Sequence, residues 1–134
     1  MVTLSVEDRL AIHELVALHG HLMDGGDFDR MDELFTAHVV YDVSAFGFGQ
    51  LIGFDAISAA ARALGELNPV GHHVTNIFVA EDSDGTVRVR SKGIGVNSDG
   101  SVGSVVYDDV VRREAVGWRI AYRKVSPRRT PLRP

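Results

Sequence analysis

The sequence has no cysteine, one tryptophan and four prolines, three of which, Pro127, Pro131 and Pro134, crowd its end. Without cysteine there is no disulfide framework, no thiolate metal site and no thiol nucleophile, and the redox compartment stays open. No apolar run reaches the length of a membrane span. The N-terminus carries neither a cationic region nor the apolar stretch of a secretory leader, so a cytoplasmic protein with no membrane partner is expected. An excess of positive charge is missing too: 14 Lys and Arg against 18 Asp and Glu leave a formal charge of -4. That balance argues against a nucleic-acid surface, which needs a clustered cationic face. Gly93-Ile94-Gly95 lacks the third glycine and the following helix of a dinucleotide fingerprint, no P-loop occurs, and no nucleophile elbow surrounds Ser44 or Ser58.

What is present is 134 residues, 45% apolar and 24% charged, one domain's worth of sequence with enough carbon for one core. Eight of the 14 basic residues lie from Arg112 onward, among them Arg123, Lys124, Arg128, Arg129 and Arg133. Together with the prolines they read as a solvated tail over 127–134 behind a single domain over 1–126.

Ser5-Val6-Glu7-Asp8 starts a helix, with a hydroxyl to cap the first amides and acids in the first turn. At about 100° per residue, Ile12, Leu15, Val16, Leu22 and Met23 fall on one stripe, and His19 lies in its middle. Gly25-Gly26 ends the helix, and Asp27 restarts a second one carrying Phe28, Met31, Leu34 and Phe35. From Val39 the period changes to two, with Val39, Tyr41 and Val43 on one face of a strand. An aromatic, glycine-broken loop over 46–50 follows, then a helix capped by Asp55. Four valine-rich strands over 72–80, 86–96, 102–113 and 118–125 close the chain through Asp84-Gly85, Asp99-Gly100 and a turn at Gly117. The order α-α-β-α-β-β-β-β predicts an α+β domain: a strongly curved, mostly antiparallel sheet with helices packed in its concave face.

Few residues on this frame carry chemistry. A histidine alone on an apolar stripe is ordinarily a core residue satisfied by one partner, but a helix over the hollow of a curved sheet also lines a cavity, and His19 would then face it. Asp24 precedes two glycines, where its ordinary role is to satisfy turn amides. In His72-His73-Val74-Thr75-Asn76, alternation puts His72, Val74, Asn76 and Phe78 on one face of the strand and His73, Thr75, Ile77 and Val79 on the other. Adjacent histidines on opposite faces cannot chelate one ion, and no acid completes a ligand set, so no metal is expected. Tyr41 and Tyr107 are strand tyrosines able to donate into a cavity.

The runs Asp24-Gly-Gly-Asp-Phe-Asp-Arg-Met-Asp-Glu-Leu-Phe35, Val39-Val-Tyr-Asp42, His72-His-Val-Thr-Asn76 and Gly117-Trp-Arg-Ile-Ala-Tyr-Arg123, in this order and spacing, resemble the SnoaL-like branch of the nuclear-transport-factor-2-like superfamily. The resemblance covers nearly the whole chain and implies the cone-shaped, cystatin-like roll. The family holds polyketide cyclases, dehydratases, a dehydrochlorinase and an isomerase beside members that only bind or assemble, so fold alone does not set function. It implies that Asp24 pairs with His72, or with His73 if a bulge shifts the strand, and that the histidine removes a proton from substrate. His19 falls where a dehydratase of the family has a proton-transferring tyrosine. Tyr41, Val43, Phe54, Asn76 and Tyr107 are expected to contact substrate. The second histidine of scytalone dehydratase has no counterpart among Ile94, Gly95 and Val96.

These expectations amount to a cofactor-independent lyase, cyclase or isomerase acting on a small apolar molecule, polyketide-, steroid- or polycyclic-like, by an Asp-His general base. The rival expectation is a small-molecule-binding or assembly module of the same fold. Adjacent valines facing both sides of the meander, Val105-Val106 and Val110-Val111, leave apolar surface to cover, so a homo-oligomer, dimer or higher, is expected.

Overall fold

A reciprocal capping box starts the first helix, α1 (Val6–Asp24): the Ser5 hydroxyl accepts the Asp8 N–H and the Asp8 carboxylate accepts the Ser5 N–H, each at 3.0 Å. The apolar spacing seen in the sequence becomes the buried face, Ile12, Leu15, Val16, His19 and Leu22. Gly26, at φ 69°, turns the chain out of the helix. In this computed structural model residues 3–133 are described; Met1 and Val2 of the expected domain and Pro134 of the expected tail lie outside them.

The expected second helix is instead a 3-10 turn, Phe28–Glu33, in which Arg30 leaves helical backbone values and Asp27 makes no side-chain cap. Its last expected residues are drawn into the sheet. The Ile120 N–H donates to the Leu34 carbonyl at 2.8 Å, and Phe35 stands beside Ile120, so β1 (Phe35–Asp42) begins before Val39. The segment expected to be an aromatic loop holds a 3-10 turn, Ser44–Phe46, and a short strand, β2 (Gln50–Ile52), antiparallel to β1. Three residues offer no alternation to read. Helix α2 (Phe54–Leu64) is capped by Gly53 rather than by the expected Asp55, which sits in its first turn and makes no capping bond.

Strands β3 (Gly71–Glu81), β4 (Val87–Val96), β5 (Val102–Glu114) and β6 (Gly117–Arg128) complete a curled α+β sheet in the order β2-β1-β6-β5-β4-β3. Every neighbouring pair is antiparallel except β1 with β6, which run parallel. Helix α1 packs against β3 and β6, and α2 against β1 and β2, so the core of Ile12, Val16, Phe35, Val39, Val89 and Ile120 lies between helices and sheet.

Two strand assignments change. Strand β6 runs through Pro127 to Arg128, opposite Val105 and Ser104, so the ladder enters the expected tail. Past Lys124 it no longer pairs with β1, and one unpaired edge is where a strand accommodates proline. In β3 the register shifts between Thr75 and Phe78, with Asn76 in left-handed backbone at φ 53°. This bulge swaps the faces: His72 and Val74 are the more buried before it, Ile77 and Val79 after it, and Phe78 is left exposed. Among the described residues no helix is long and apolar enough to cross a membrane.

Ile12→Ala, at a fully buried position, is expected to lower unfolding stability by about 2–5 kcal/mol. Val116→Ala, at a position 76% exposed, is expected to stay within about 0.5 kcal/mol of wild type in urea.

Candidate active site

The end of α1 meets the start of β3, an edge strand of the sheet. Asp24 is the last residue of α1, and both its oxygens accept the His72 backbone N–H, each at 3.0 Å. Its Oδ1 also lies 2.6 Å from His72 Nδ1. A carboxylate only accepts, so Nδ1 carries a proton, and in the neutral ring the lone pair falls to Nε2. The amide that Asp24 satisfies thus belongs to β3, not to the turn after the helix. Side-chain exposure is 20% for His72 and 29% for Asp24, which places the pair at the margin between core and solvent. His73 is exposed, and the bulge falls after both histidines, so it is His72 that meets the carboxylate.

Inward of His72 lies His19, 2% exposed, their ring centroids 6.0 Å apart. Tyr107, at 5.9 Å, and Tyr41, at 6.4 Å, surround the same imidazole. Neither ring nitrogen of His19 has a hydrogen-bond partner among the described residues. Burial, reinforced by the charge of Arg123 and by His72, holds its pKa well below the ordinary 6.5, so the ring is neutral near pH 7. Burial likewise raises the Tyr107 hydroxyl, with Tyr41 adding to it, and raises Tyr41 against the pull of Arg123, so both phenols stay protonated donors.

Sequence reasoning missed the charged centre of this interior. Arg123, expected on the last strand and counted there only among the cations of a locally basic stretch, is wholly buried. It donates through Nε and Nη2 to the two oxygens of Asp109, at 2.7 and 2.8 Å, and its Cζ stands 4.3 Å from the centre of the Tyr107 ring. Burial works against the charge, yet the field of Asp109 holds Arg123 above its usual range. Nη1, the third nitrogen, has no partner among the described residues, and neither has the buried Ser91 hydroxyl on β4. The available signal was register: Asp109 and Arg123 face each other across β5 and β6, each on the inward side of its strand.

Other expected contact residues lie apart from this group. Asn76 is exposed in the β3 bulge, because the extra residue turns it off the inward face. Phe54 lines a separate cleft of about 580 Å³ between the 3-10 turn and α2, with Phe28, Asp29, Ser58 and Arg62. Val43 is half-buried in the turn after β1, where its carbonyl accepts the Phe46 N–H at 2.9 Å. The α1 stripe expected to line a pocket is packed core at Ile12, Val16 and Leu22, and a second cleft of about 680 Å³ sits near Leu4 and Trp118, away from the pair. No cluster of three metal-ligating side chains occurs among the described residues.

A family model described as a SnoaL-like domain matches residues 4–124. Among solved structures, an NTF2-like protein with a cystatin-like fold from Novosphingobium aromaticivorans is 29% identical with a TM-score of 0.74, over 91% of this chain and 82% of that one. Aln2 from a Streptomyces species is 25% identical at TM-score 0.75, over 94% of each chain. A protein with a cystatin-like fold from Nostoc punctiforme is 20% identical at TM-score 0.79, over 95% and 96%, and shares the fold. No curated protein matches the chain.

Asp109→Leu, which strands Arg123 without a counterion, is expected to cost about 3–5 kcal/mol of stability, and adding Arg123→Met to recover most of it, both read from urea unfolding. Because the folded-state pKa of His19 is depressed, its contribution is complete above the unfolded value near 6.5 and is lost as pH falls below it. Stability measured from pH 7 to pH 5 is therefore expected to fall less steeply in His19→Gln than in wild type.

Proposed function

From the premise that the chain belongs to the SnoaL-like domain family, whose members include polyketide cyclases, we propose that it is a cofactor-independent lyase, cyclase or isomerase in which His72 removes a proton from a small organic substrate. The observation that carries this reading is the 2.6 Å contact between Asp24 Oδ1 and His72 Nδ1, which leaves Nε2 as the basic atom. The chemistry follows from the residues. Asp24 holds the tautomer and steadies the imidazolium that forms once Nε2 has taken the proton. The carbanion left on the substrate delocalises onto a neighbouring oxygen as an enolate, whose charge needs donors already in place. The Arg123 Nη1 group and the protonated Tyr41 and Tyr107 hydroxyls supply candidates, and the neutral His19 ring adjoins both tyrosines and His72. The imidazolium returns its proton to another atom in an isomerisation, or to a departing hydroxyl in a dehydration. Substrate enters where the pair meets solvent.

A second reading, a ligand-binding or assembly module, is favoured by one observation: Asp24 also caps the His72 amide, a purely structural duty, while the α1 stripe is packed. Proton exchange separates the two, because dehydration, cyclisation and isomerisation share the same first step. With polycyclic β-dicarbonyl compounds as probes in D2O, the wild type is expected to wash out the acidic C–H signals in NMR spectra. Asp24→Asn and His72→Gln are each expected to slow this by about 10²–10⁴-fold. Probes that bind but exchange at the buffer rate would establish the binding module instead, whereas enzyme-promoted exchange that survives both substitutions would overturn His72 as the base.

A further inference from the structure

Gly20 stands one helical turn before Asp24, on the same face of α1, and is buried against β3. Mid-helix glycine is a poor helix former, so its presence there asks for a packing reason. The reason is a close approach. A methyl group at Gly20 would lie 2.5 Å from the His72 carbonyl oxygen and 3.7 Å from the His72 Cβ. That oxygen belongs to the backbone and cannot swing aside. Relief would require α1 and β3 to part by roughly 1 Å, to reach the C···O contact of about 3.3–3.6 Å that tightly packed chains show. A residue of an extended strand sends its N–H and C=O to the same side. Gly20 therefore meets the carbonyl of the very residue whose N–H and ring bond to Asp24.

We infer that Gly20 is a positioning residue for the proton-abstracting pair. By letting α1 close on β3 it brings the carboxylate within reach of both the His72 amide and its Nδ1, and so fixes where Nε2 points. The inference rests on reading Asp24 and His72 as a base and its orienting acid, and it acts through His72 without touching substrate. The clamp is one turn of helix: Gly20 admits the carbonyl side of His72, and Asp24 holds the N–H side.

In protein labelled with 15N-histidine, the wild type is expected to show His72 as the Nδ1-protonated tautomer, with a strongly downfield Hδ1 resonance. Gly20→Ala is expected to stay folded by circular dichroism yet lose that resonance, its ring sampling both tautomers. Combining Gly20→Ala with Asp24→Glu, whose extra methylene spans the added gap, is expected to restore it. Leu15→Ala, a core truncation elsewhere in α1, is expected to keep it although the protein is destabilised; its loss there as well would reduce Gly20 to general packing. A folded Gly20→Ala protein with the wild-type ring spectrum overturns the positioning role and leaves the pair intact. A wild type lacking the Nδ1-protonated form overturns the pair itself. If Gly20→Ala does not fold, the wild type decides: a nuclear Overhauser effect between a Gly20 α-proton and the His72 β-protons is expected, and its absence overturns the inference.

Discussion

One carboxylate joins the end of the first helix to the edge of the sheet, and much of the chemistry open to this fold depends on it. Asp24 takes the amide of His72, an edge-strand donor with no ladder partner on that side, and orients the ring of the same residue. Local preference opposes the arrangement. An acid in the last turn of a helix faces the negative end of the dipole, with His21 the one basic residue in that turn. The compensation comes from 48 residues further along the chain. A residue placed against its local preference and held by a distant partner is the kind of inconsistency that marks functional positions.

Behind that pair the hollow of the sheet is less greasy than its valine-rich strands suggest. Aromatic rings from α1, β1 and β5 close on one another, and beneath them Asp109 and Arg123 form a bidentate ion pair with no exposed surface. A buried charge pair is seldom the most stabilising choice for its volume. Its retention makes sense if a positive group must be held rigidly inside, with one nitrogen that has no partner among the described residues. With His19 neutral by burial, the interior runs from a solvent-touched carboxylate at Asp24 to an enclosed guanidinium at Arg123.

The order of the main elements was largely legible in the sequence because strand patterning and turn chemistry agree over 87–125, where Asp99-Gly100 and Gly117 mark the hairpin turns between valine-rich runs. Legibility failed where a distant partner decides local structure. Leu34 and Phe35 carry a helical spacing, yet pairing with Ile120 makes them the entrance to a strand. The bulge at Asn76 inserts one residue into an otherwise clean alternation and reverses the faces beyond it. Arg123 looked like one more cation in a basic stretch, since the acid that buries it lies on the neighbouring strand. For the candidate site, Asp24, His72, His19, Tyr41 and Tyr107 could be picked out beforehand, whereas Arg123, Asp109, Ser91 and the role of Gly20 depend on register and on the distance between helix and strand.

The parallel seam between β1 and β6 bears on how the molecule is made. During synthesis β1 emerges early and has only the three-residue β2 to pair with, while its principal neighbour, β6, is the last of the sheet's strands to be made. Such a non-local contact carries a large loop-closure cost before it returns any stability, which slows folding and leaves apolar strand edges bare in the meantime. The nascent sheet therefore stays open along that seam until β6 arrives, and the centre that Arg123 occupies is assembled after the other strands.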